Sequence, residues 1–268
     1  MSRYEPRTYI ESMHMLNLLA GMDKNFRRSI SGLVILALSS LGVSAQNFSG
    51  AWKLVNYNGK PFAEECIKIF SDGYFMFATY SADGAFVKAG GGNYKASGKE
   101  YTEVLDFYTS DSTQVRKPLT YSFSLKNDEL ILSTKGQVAV LKETWKKVDD
   151  VSSALSGAWR FGARVNDEGV AGQRRGADSP RQTMKILSGN YFQWAAFNSE
   201  TKQCSGTGGG AYKLQDNQYT ETIHFFSRDN ARVGISLTFD YKLDGTDWYH
   251  KGKGTTGNPV SEVWEKVK

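Results

Sequence analysis

The chain has 268 residues, of which 40% are hydrophobic and 23% charged, and its formal net charge is +5 at pH 7. This length is typical of one or two domains. The basic residues are scattered as single residues and pairs, and one such pair, Arg174-Arg175, lies in an insertion. Nucleic-acid binding needs a concentrated basic stripe, so the sequence argues against that class of function.

The first 45 residues have the layout of a secretory signal peptide. Basic residues within 24–28 precede an apolar run at 30–43, and small residues follow at the expected cleavage site. The run is shorter than the roughly 20 residues that a membrane span requires. We therefore expect a leader over 1–45 with its true start at Met22. Cleavage near Ala45/Gln46 would give an exported, periplasmic or secreted protein without a membrane span.

The rest of the chain contains the same unit twice, which is the pattern of a tandem repeat. The offset between the copies rises from 107 residues at the first shared tryptophan to 119 at the last. We place the units at 48–148 and 155–267, with a short linker at 149–154 that should keep them close. The matching segments are Phe48–Lys53 and Leu155–Arg160, Gly90–Asp111 and Gly208–Asp229, and Glu143–Val148 and Glu262–Val267.

Short alternating runs broken by Gly, Asp and Asn predict an all-β fold. Asp72-Gly73 and Gly189-Asn190 lie where tight hairpin turns are expected, because both sites need residues that tolerate positive φ. Eight short strands with short turns indicate an up-and-down antiparallel barrel, so we predict two such barrels in tandem. In the first unit the predicted strands centre on 51–56, 66–70, 74–80, 85–95, 100–109, 119–125, 130–133 and 140–148.

Comparison of the copies predicts which side chains face inward, because inward positions stay apolar in both. In the third strand the outward position between the aromatics holds Met76 in one copy and Gln193 in the other. In the seventh strand inward Leu130 and Leu132 match Trp248 and His250. The third and sixth strands give Phe75, Phe77, Leu119, Tyr121, Phe123 and Leu125, matched by Phe192, Trp194, Leu237, Phe239, Tyr241 and Leu243.

The segments Gly50-Ala51-Trp52 and Gly157-Ala158-Trp159 resemble the Gly-x-Trp motif that opens the first barrel strand of the lipocalin-like (calycin) superfamily. The chain is similar to small lipocalin-like domains of unknown function in secreted bacterial proteins. The resemblance implies a basic residue of the last strand, usually Arg, packed over the motif tryptophan. Here lysines stand in that region instead, at Lys146, Lys147 and Lys266. The short units leave open whether the barrels are hollow or filled by their own side chains.

A glutamate recurs in Tyr101-Thr102-Glu103 and Tyr219-Thr220-Glu221. By alternation Tyr101, Glu103, Leu105 and Phe107 share one face, as do Tyr219, Glu221, Ile223 and Phe225, so both glutamates should point inward. A carboxylate there must be paired, hydrogen-bonded or protonated. It serves either as a polar anchor for a ligand or as a structural group bonded to a neighbouring Tyr, Thr or Lys.

The other candidate features favour structural roles. The triplets Gly90–Gly92 and Gly208–Gly210 are not followed by a helix, so they indicate a sharp bend or close approach and not a phosphate loop. His224 is expected in solvent and His250 in the core. Glu143 and Glu262 are expected in structural salt bridges, and Cys66 and Cys204 either as separate thiols or as a bridge between the units. No pattern indicates a cofactor or a metal site.

The insertion at 165–181 is polar, Gly-rich and basic, and its counterpart in the first unit is shorter. We expect a mobile loop there, with a lid or a protein-docking loop as the alternative, since binding functions concentrate on loops.

These patterns favour an exported, non-catalytic protein that binds a small apolar or amphipathic ligand. Alternatives are a protein- or glycan-interaction module with filled barrels and, less favoured, an enzyme that uses an inward glutamate with His250. The predicted ligand-binding residues are Phe75, Phe77, Tyr101, Glu103, Tyr121, Phe192, Trp194, Tyr219, Glu221, Phe239 and His250.

Overall fold

A computed structural model describes residues 47–135 and 140–267. The predicted leader over 1–45, with its start and cleavage sites, lies outside these residues. The regular secondary structure of the described chain is almost all β-strand. Barrel 1 is formed by β1 (Gly50–Tyr57), the two-residue β2 (Lys60–Pro61), β3 (Glu65–Ser71), β4 (Tyr74–Tyr80), β5 (Phe86–Ser97), β6 (Glu100–Tyr108), β7 (Pro118–Lys126), β8 (Glu129–Thr134) and β9 (Lys142–Asp149).

Barrel 2 repeats this order with eight strands. They are β10 (Gly157–Arg164), β11 (Arg181–Ser188), β12 (Tyr191–Asn198), β13 (Cys204–Gln215), β14 (Gln218–Phe226), β15 (Ser236–Asp244), β16 (Asp247–Lys253) and β17 (Pro259–Lys266). In barrel 1 the short β2 pairs only with β1, which also pairs with β3. Apart from β2, every strand of each barrel pairs antiparallel with the next, and the last strand pairs with the first. The predicted fold class, two tandem up-and-down antiparallel barrels, is confirmed.

The shared motif closes one end of each barrel in the same way. Trp52 Nε1 donates to the Phe48 carbonyl at 2.8 Å, and Trp159 Nε1 donates to the Leu155 carbonyl at 2.8 Å. A last-strand lysine covers each tryptophan, with Lys147 Nζ 5.2 Å from the Trp52 ring and Lys266 Nζ 4.9 Å from the Trp159 ring. A lysine therefore makes the cation–π contact that the resemblance led us to expect from an arginine.

The two barrels pack against each other through their outer faces around an approximate two-fold axis. The ring of Tyr80 stacks on Phe225 at 5.2 Å, and the ring of Phe107 stacks on Phe197 at 5.4 Å. Tyr80 and Phe197 are equivalent in the repeat, as are Phe107 and Phe225, so the two stacks exchange roles as in an isologous dimer interface. The linker thus joins two halves that bury a shared core between them.

This interface corrects the predicted outward face of β4 and β12. Met76 and Gln193 were expected in water, but both are buried. Met76 belongs to the core between the barrels, and the Gln193 amide donates to the Phe77 carbonyl across the interface at 3.2 Å. Comparison of copies could not detect this, because a position that faces the other copy varies as freely as one that faces solvent.

A β-bulge corrects the predicted face of Phe107 and Phe225. On β6 the pairing shifts so that Gly91 faces Phe107 and Gly92 faces Leu105, and β14 has the same shift. The residue between Leu105 and Phe107 has no partner on β5. Leu105 therefore faces the interior of the barrel, whereas Phe107 faces outward into the interface. The glycines permit this approach, since a Cβ on Gly92 would lie 2.1 Å from the Val104 carbonyl oxygen. The predicted close approach at the triplets is confirmed.

Several smaller predictions meet different outcomes. The turns at Asp72-Gly73 and Gly189-Asn190 are confirmed, with positive φ at Asp72, Gly73 and Gly189. Leu243, predicted inward, is 36% exposed at the end of β15. His224, predicted in solvent, is half-buried beside Tyr191, since β14 lies close to the interface.

Cys66 and Cys204 are not bridged. Cys66 lies inside barrel 1, whereas Cys204 packs beside the interface core.

The insertion after β10 is attached to barrel 2 by side-chain contacts. Arg174 forms ion pairs with Asp247 at 2.7 Å and Glu265 at 3.2 Å. The guanidinium of Arg175 stacks on the Phe161 ring at 4.8 Å. A β-bridge between Val165 and Ala171 orders the start of the segment. These contacts tie the insertion to the barrel rim, while its role in binding a partner stays a prediction.

Candidate ligand-binding site

Each barrel encloses a buried lysine and glutamate that pair with each other. In barrel 1 the Lys68 ammonium on β3 donates to Glu103 Oε1 on β6. The Tyr101 hydroxyl donates to the same oxygen at 2.6 Å. Burial, reinforced by the adjacent carboxylate, raises the pKa of Tyr101 well above its ordinary value, so the phenol keeps the proton that it donates.

Barrel 2 contains the same arrangement. Lys185 Nζ lies 2.5 Å from Glu221 Oε1, and the Tyr219 hydroxyl donates to that oxygen at 2.8 Å. Aromatic rings surround both ammonium groups. Lys68 Nζ lies 4.7 Å from the Phe75 ring, and Lys185 Nζ lies 5.2 Å from the Trp264 ring. The rings and the carboxylate replace the water that each ammonium loses on burial.

A second recurring carboxyl differs between the barrels. Glu262 accepts from Trp264 Nε1 at 3.2 Å and from His250 Nε2 at 3.3 Å. Burial alone would raise its pKa, but these hydrogen bonds and the charge of Lys185 outweigh burial and lower it. Glu143 keeps the tryptophan bond, from Trp145 Nε1 at 2.9 Å, but Leu132 replaces the histidine. Burial therefore dominates, and the pKa of Glu143 is raised.

Barrel 1 is hollow at the end where Glu143 lies. A cavity of about 430 Å³ opens between the ends of β1, β4 and β6 and the beginnings of β3, β5, β7 and β9. The Lys68–Glu103 pair and Trp145 lie at its depth, and Lys88 and Lys117 lie along its lining nearer solvent. Its apolar wall is formed by Leu54, Phe62, Phe77, Leu105, Leu119 and Leu141. Its volume falls within the range of about 300–1,000 Å³ that is typical of small-molecule sites.

Larger side chains replace three leucines of barrel 1 in the interior of barrel 2. Leu54, Leu130 and Leu132 are replaced by Phe161, Trp248 and His250. Trp248 is fully buried, with its ring 5.2 Å from Tyr219 and 5.5 Å from Trp159. The His250 ring stacks on Phe239 at 4.7 Å. These contacts fill the interior with rings.

A depression of about 450 Å³ lies on barrel 2 between the start of the insertion and strands β15–β17. Most of its border is polar and exposed, as at Asp240, Lys242 and Lys251. His250 and Glu262 lie at its buried side. It is a surface groove, unlike the apolar-walled cavity of barrel 1.

The predicted site residues are distributed unequally. Phe77, Glu103 and Tyr121 line the cavity of barrel 1. Phe75 and Tyr101 are fully buried behind it and pack against Phe70. The predicted residues of barrel 2, namely Phe192, Trp194, Tyr219, Glu221, Phe239 and His250, belong to its packed interior or its Lys–Glu pair.

Sequence reasoning missed Lys68 and Lys185, the partners of the glutamates. Their signal was present, since each lysine stands at the same place in the apolar run of the second predicted strand. Ile67-Lys68-Ile69 suggests isoleucines inside and lysine outside. The opposite is found because the isoleucines pack into the interface between the barrels. Charged residues in both copies of an apolar strand would have been the better guide.

The histidine proposed for acid–base chemistry sits in a structural arrangement. Burial lowers the pKa of His250, which favours a neutral ring that donates to Glu262. Among the described residues no group of three or more His, Cys, Asp or Glu side chains is arranged to hold a metal ion. Within residues 47–135 and 140–267 no helix has the length and apolar character of a membrane span.

Comparison with known proteins identifies no family. No protein-family model matches the sequence, and no curated protein is significantly similar to it. Among solved structures the chain is similar to the uncharacterized protein YLR301w from Saccharomyces cerevisiae, at 11% sequence identity and a TM-score of 0.42. The match covers 81% of this chain and 97% of the yeast chain.

Proposed function

We propose that barrel 1 binds a small apolar or amphipathic molecule and that the protein is a non-catalytic binding protein. The observation that supports this most strongly is the cavity of about 430 Å³ in barrel 1, with its apolar wall and polar depth. In this reading the Lys68–Glu103 pair orients polar atoms of the ligand while the leucines and aromatics contact its apolar body. Barrel 2 supports barrel 1 through the shared interface core.

The sequence supports two further proposals, one on the family and one on the location of the protein. We propose membership of the lipocalin-like (calycin) superfamily, because each barrel opens on Gly-x-Trp with a basic side chain over the tryptophan. We also propose export outside the cytoplasm through the leader at 1–45. Ligand binding inside a barrel agrees with both, although a shared fold alone transfers function poorly.

The filled interior of barrel 2 supports a second role. A barrel packed with Trp248 and His250 has little internal room, so any binding by it would use its surface. The groove beside the insertion is the candidate surface, and the ordered start of that segment would present it to a protein or glycan partner. This interaction role is compatible with ligand binding in barrel 1.

The proposal is tested by titrating the protein with N-phenyl-naphthylamine, a neutral apolar dye that fluoresces when it leaves water. We expect saturable binding to the wild type. Leu105→Trp places a larger side chain in the cavity wall and should reduce the affinity at least about tenfold, since overfilling excludes a ligand. Leu243→Trp makes the same chemical change at an exposed site of barrel 2 and should leave the affinity unchanged.

Circular dichroism and thermal unfolding verify that both variants are folded. Absence of saturable dye binding to folded wild-type protein would contradict the proposal. Equal binding by the wild type and a folded Leu105→Trp variant would contradict the assignment of the site to barrel 1.

A further inference from the structure

Because the chain is duplicated, the residues that line the cavity of barrel 1 have equivalents in barrel 2, whose interior is filled. The cavity of barrel 1 is lined by three lysines, Lys68, Lys88 and Lys117, and by two glutamates, Glu103 and Glu143. Lys68 and Glu103 pair with each other. Lys88 and Lys117 remain, and no carboxylate among the described residues lies within ion-pair distance of either nitrogen.

Barrel 2 has neither of these lysines. Its residues equivalent to Lys88 and Lys117 are Gly206 and Ile235. Two arginines lie nearby, and both donate hydrogen bonds to other groups of the protein. Arg232 pairs with Asp229 at 2.9 Å and donates to the Thr255 carbonyl at 2.6 Å, and Arg228 donates to the Ser205 carbonyl at 2.8 Å. Unpaired lysines at these two lining positions are therefore found in barrel 1 and not in barrel 2.

The hydroxyl groups of the lining follow the same division. Tyr108 and Tyr121 line the cavity of barrel 1, and their equivalents in barrel 2 are Phe226 and Phe239. Within the described residues the Tyr121 hydroxyl has no hydrogen-bond partner, although the side chain is only 5% exposed. A phenol that faces a cavity can donate to an oxygen atom of a ligand.

The remaining acid of the cavity is Glu143. Burial raises the pKa of Glu143, and the charges of Lys68 and Lys88 only partly offset that effect. Burial raises the pKa of the Cys66 thiol at the inner wall to about 11, and the positive charge of Lys88 offsets a small part of that rise.

We propose that the ligand of barrel 1 is an amphipathic monoanion, such as a carboxylate or sulfonate with an apolar body. Its charged group lies between Lys88 and Lys117, and its apolar body contacts the leucine wall. This inference rests on the proposed function, because it names the class of molecule that the same cavity takes. Charge complementarity at the entrance also speeds association, so binding should weaken as salt is added.

The test uses ligands that differ only in their head group. Decanoate, decanol and decylammonium are each titrated against the protein loaded with N-phenyl-naphthylamine, and displacement of the dye is measured. We expect decanoate to bind most tightly and decylammonium most weakly. In Lys88→Gln/Lys117→Gln the affinity for decanoate should fall about fivefold or more, from the loss of two partly exposed ion pairs. The affinity for decanol should not change.

The matched control is Lys95→Gln/Lys99→Gln, which removes the same charge from exposed positions on barrel 1 that do not line the cavity. It should leave the order of the three ligands unchanged and reduce the decanoate affinity much less. If the dye and decanol bind but decanoate has no advantage, the monoanion proposal is wrong while the binding function stands. Tighter binding of decylammonium would also overturn it and would point to Glu143 as the recognition group. Failure of the dye itself to bind would instead contradict the proposed function.

Discussion

The two barrels have the same strand order, the same tryptophan contacts and the same buried Lys–Glu pair, but they differ in what occupies their interiors. Barrel 1 has Leu54, Leu130 and Leu132 where barrel 2 has Phe161, Trp248 and His250. Barrel 1 is hollow at that end, and rings fill barrel 2. The residues that make these shared contacts stabilise the fold and are the same in both copies. The residues that decide whether the interior is hollow or filled differ between the copies.

The Lys–Glu pairs offer the largest effect with which to test this difference. Lys185→Met leaves Glu221 without its cation in a filled interior and should lower the free energy of unfolding by about 3–5 kcal/mol. Lys68→Met leaves Glu103 on the wall of a cavity, where water can reach the carboxylate, so the loss should be smaller, about 2 kcal/mol. Urea unfolding of both variants measures the two losses. Equal losses would mean that the two interiors are equally dry.

The stacked rings between the barrels test what the two halves share. Phe107→Leu removes the stack on Phe197, and Phe225→Leu removes the stack on Tyr80 together with a second stack on Phe86. Phe107→Leu should lower the free energy of unfolding by about 0.5–1.5 kcal/mol, the value of an aromatic pair beyond its buried area, and Phe225→Leu should lower it somewhat more because two ring contacts are lost. Thermal unfolding monitored by circular dichroism is the appropriate measurement. A large effect at one site and none at the other would contradict the two-fold arrangement.

The last-strand glutamates should respond to pH with opposite signs. The pKa of Glu143 in the folded protein is above its ordinary value, so stability falls as the pH rises from the ordinary value through the folded one. Glu143→Gln should therefore be more stable than the wild type at neutral pH, by up to about 1 kcal/mol, and lose that advantage in acid.

Glu262 has a lowered pKa in the folded protein, so it contributes stability above its ordinary value that is lost as the pH falls through the folded one. Glu262→Gln should be less stable than the wild type at neutral pH by about 1 kcal/mol, and the deficit should shrink in acid. Unfolding midpoints of both variants between acid and neutral pH measure the difference. Shifts of the same sign would show that the missing histidine partner of Glu143 has no energetic consequence.

The sequence was sufficient to predict the strands and their order, because the alternating runs and turn residues were present in both copies. It also predicted that Glu103 and Glu221 lie inside. Three features escaped it. The bulges that turn Phe107 and Phe225 outward arise from a pairing shift, which the alternation of side chains does not reveal. The interface makes Met76 and Gln193 resemble surface positions. The inward lysines stand between isoleucines that point toward the other barrel.

Hollowness could not be predicted for a related reason. A leucine and a tryptophan at equivalent inward positions are both normal core residues, and only the packing around them decides whether space remains. The substitutions of Tyr108 and Tyr121 by Phe226 and Phe239 were visible in the sequence. Their meaning became clear only when the structure placed both tyrosines on the lining of one cavity.

The most direct test of one hollow and one filled barrel is the number of ligands bound per chain, measured by native mass spectrometry with saturating N-phenyl-naphthylamine. We expect one dye molecule bound per chain of the wild type and of Leu243→Trp, and none bound to Leu105→Trp. Two molecules per chain, or one that survives in folded Leu105→Trp, would contradict this expectation.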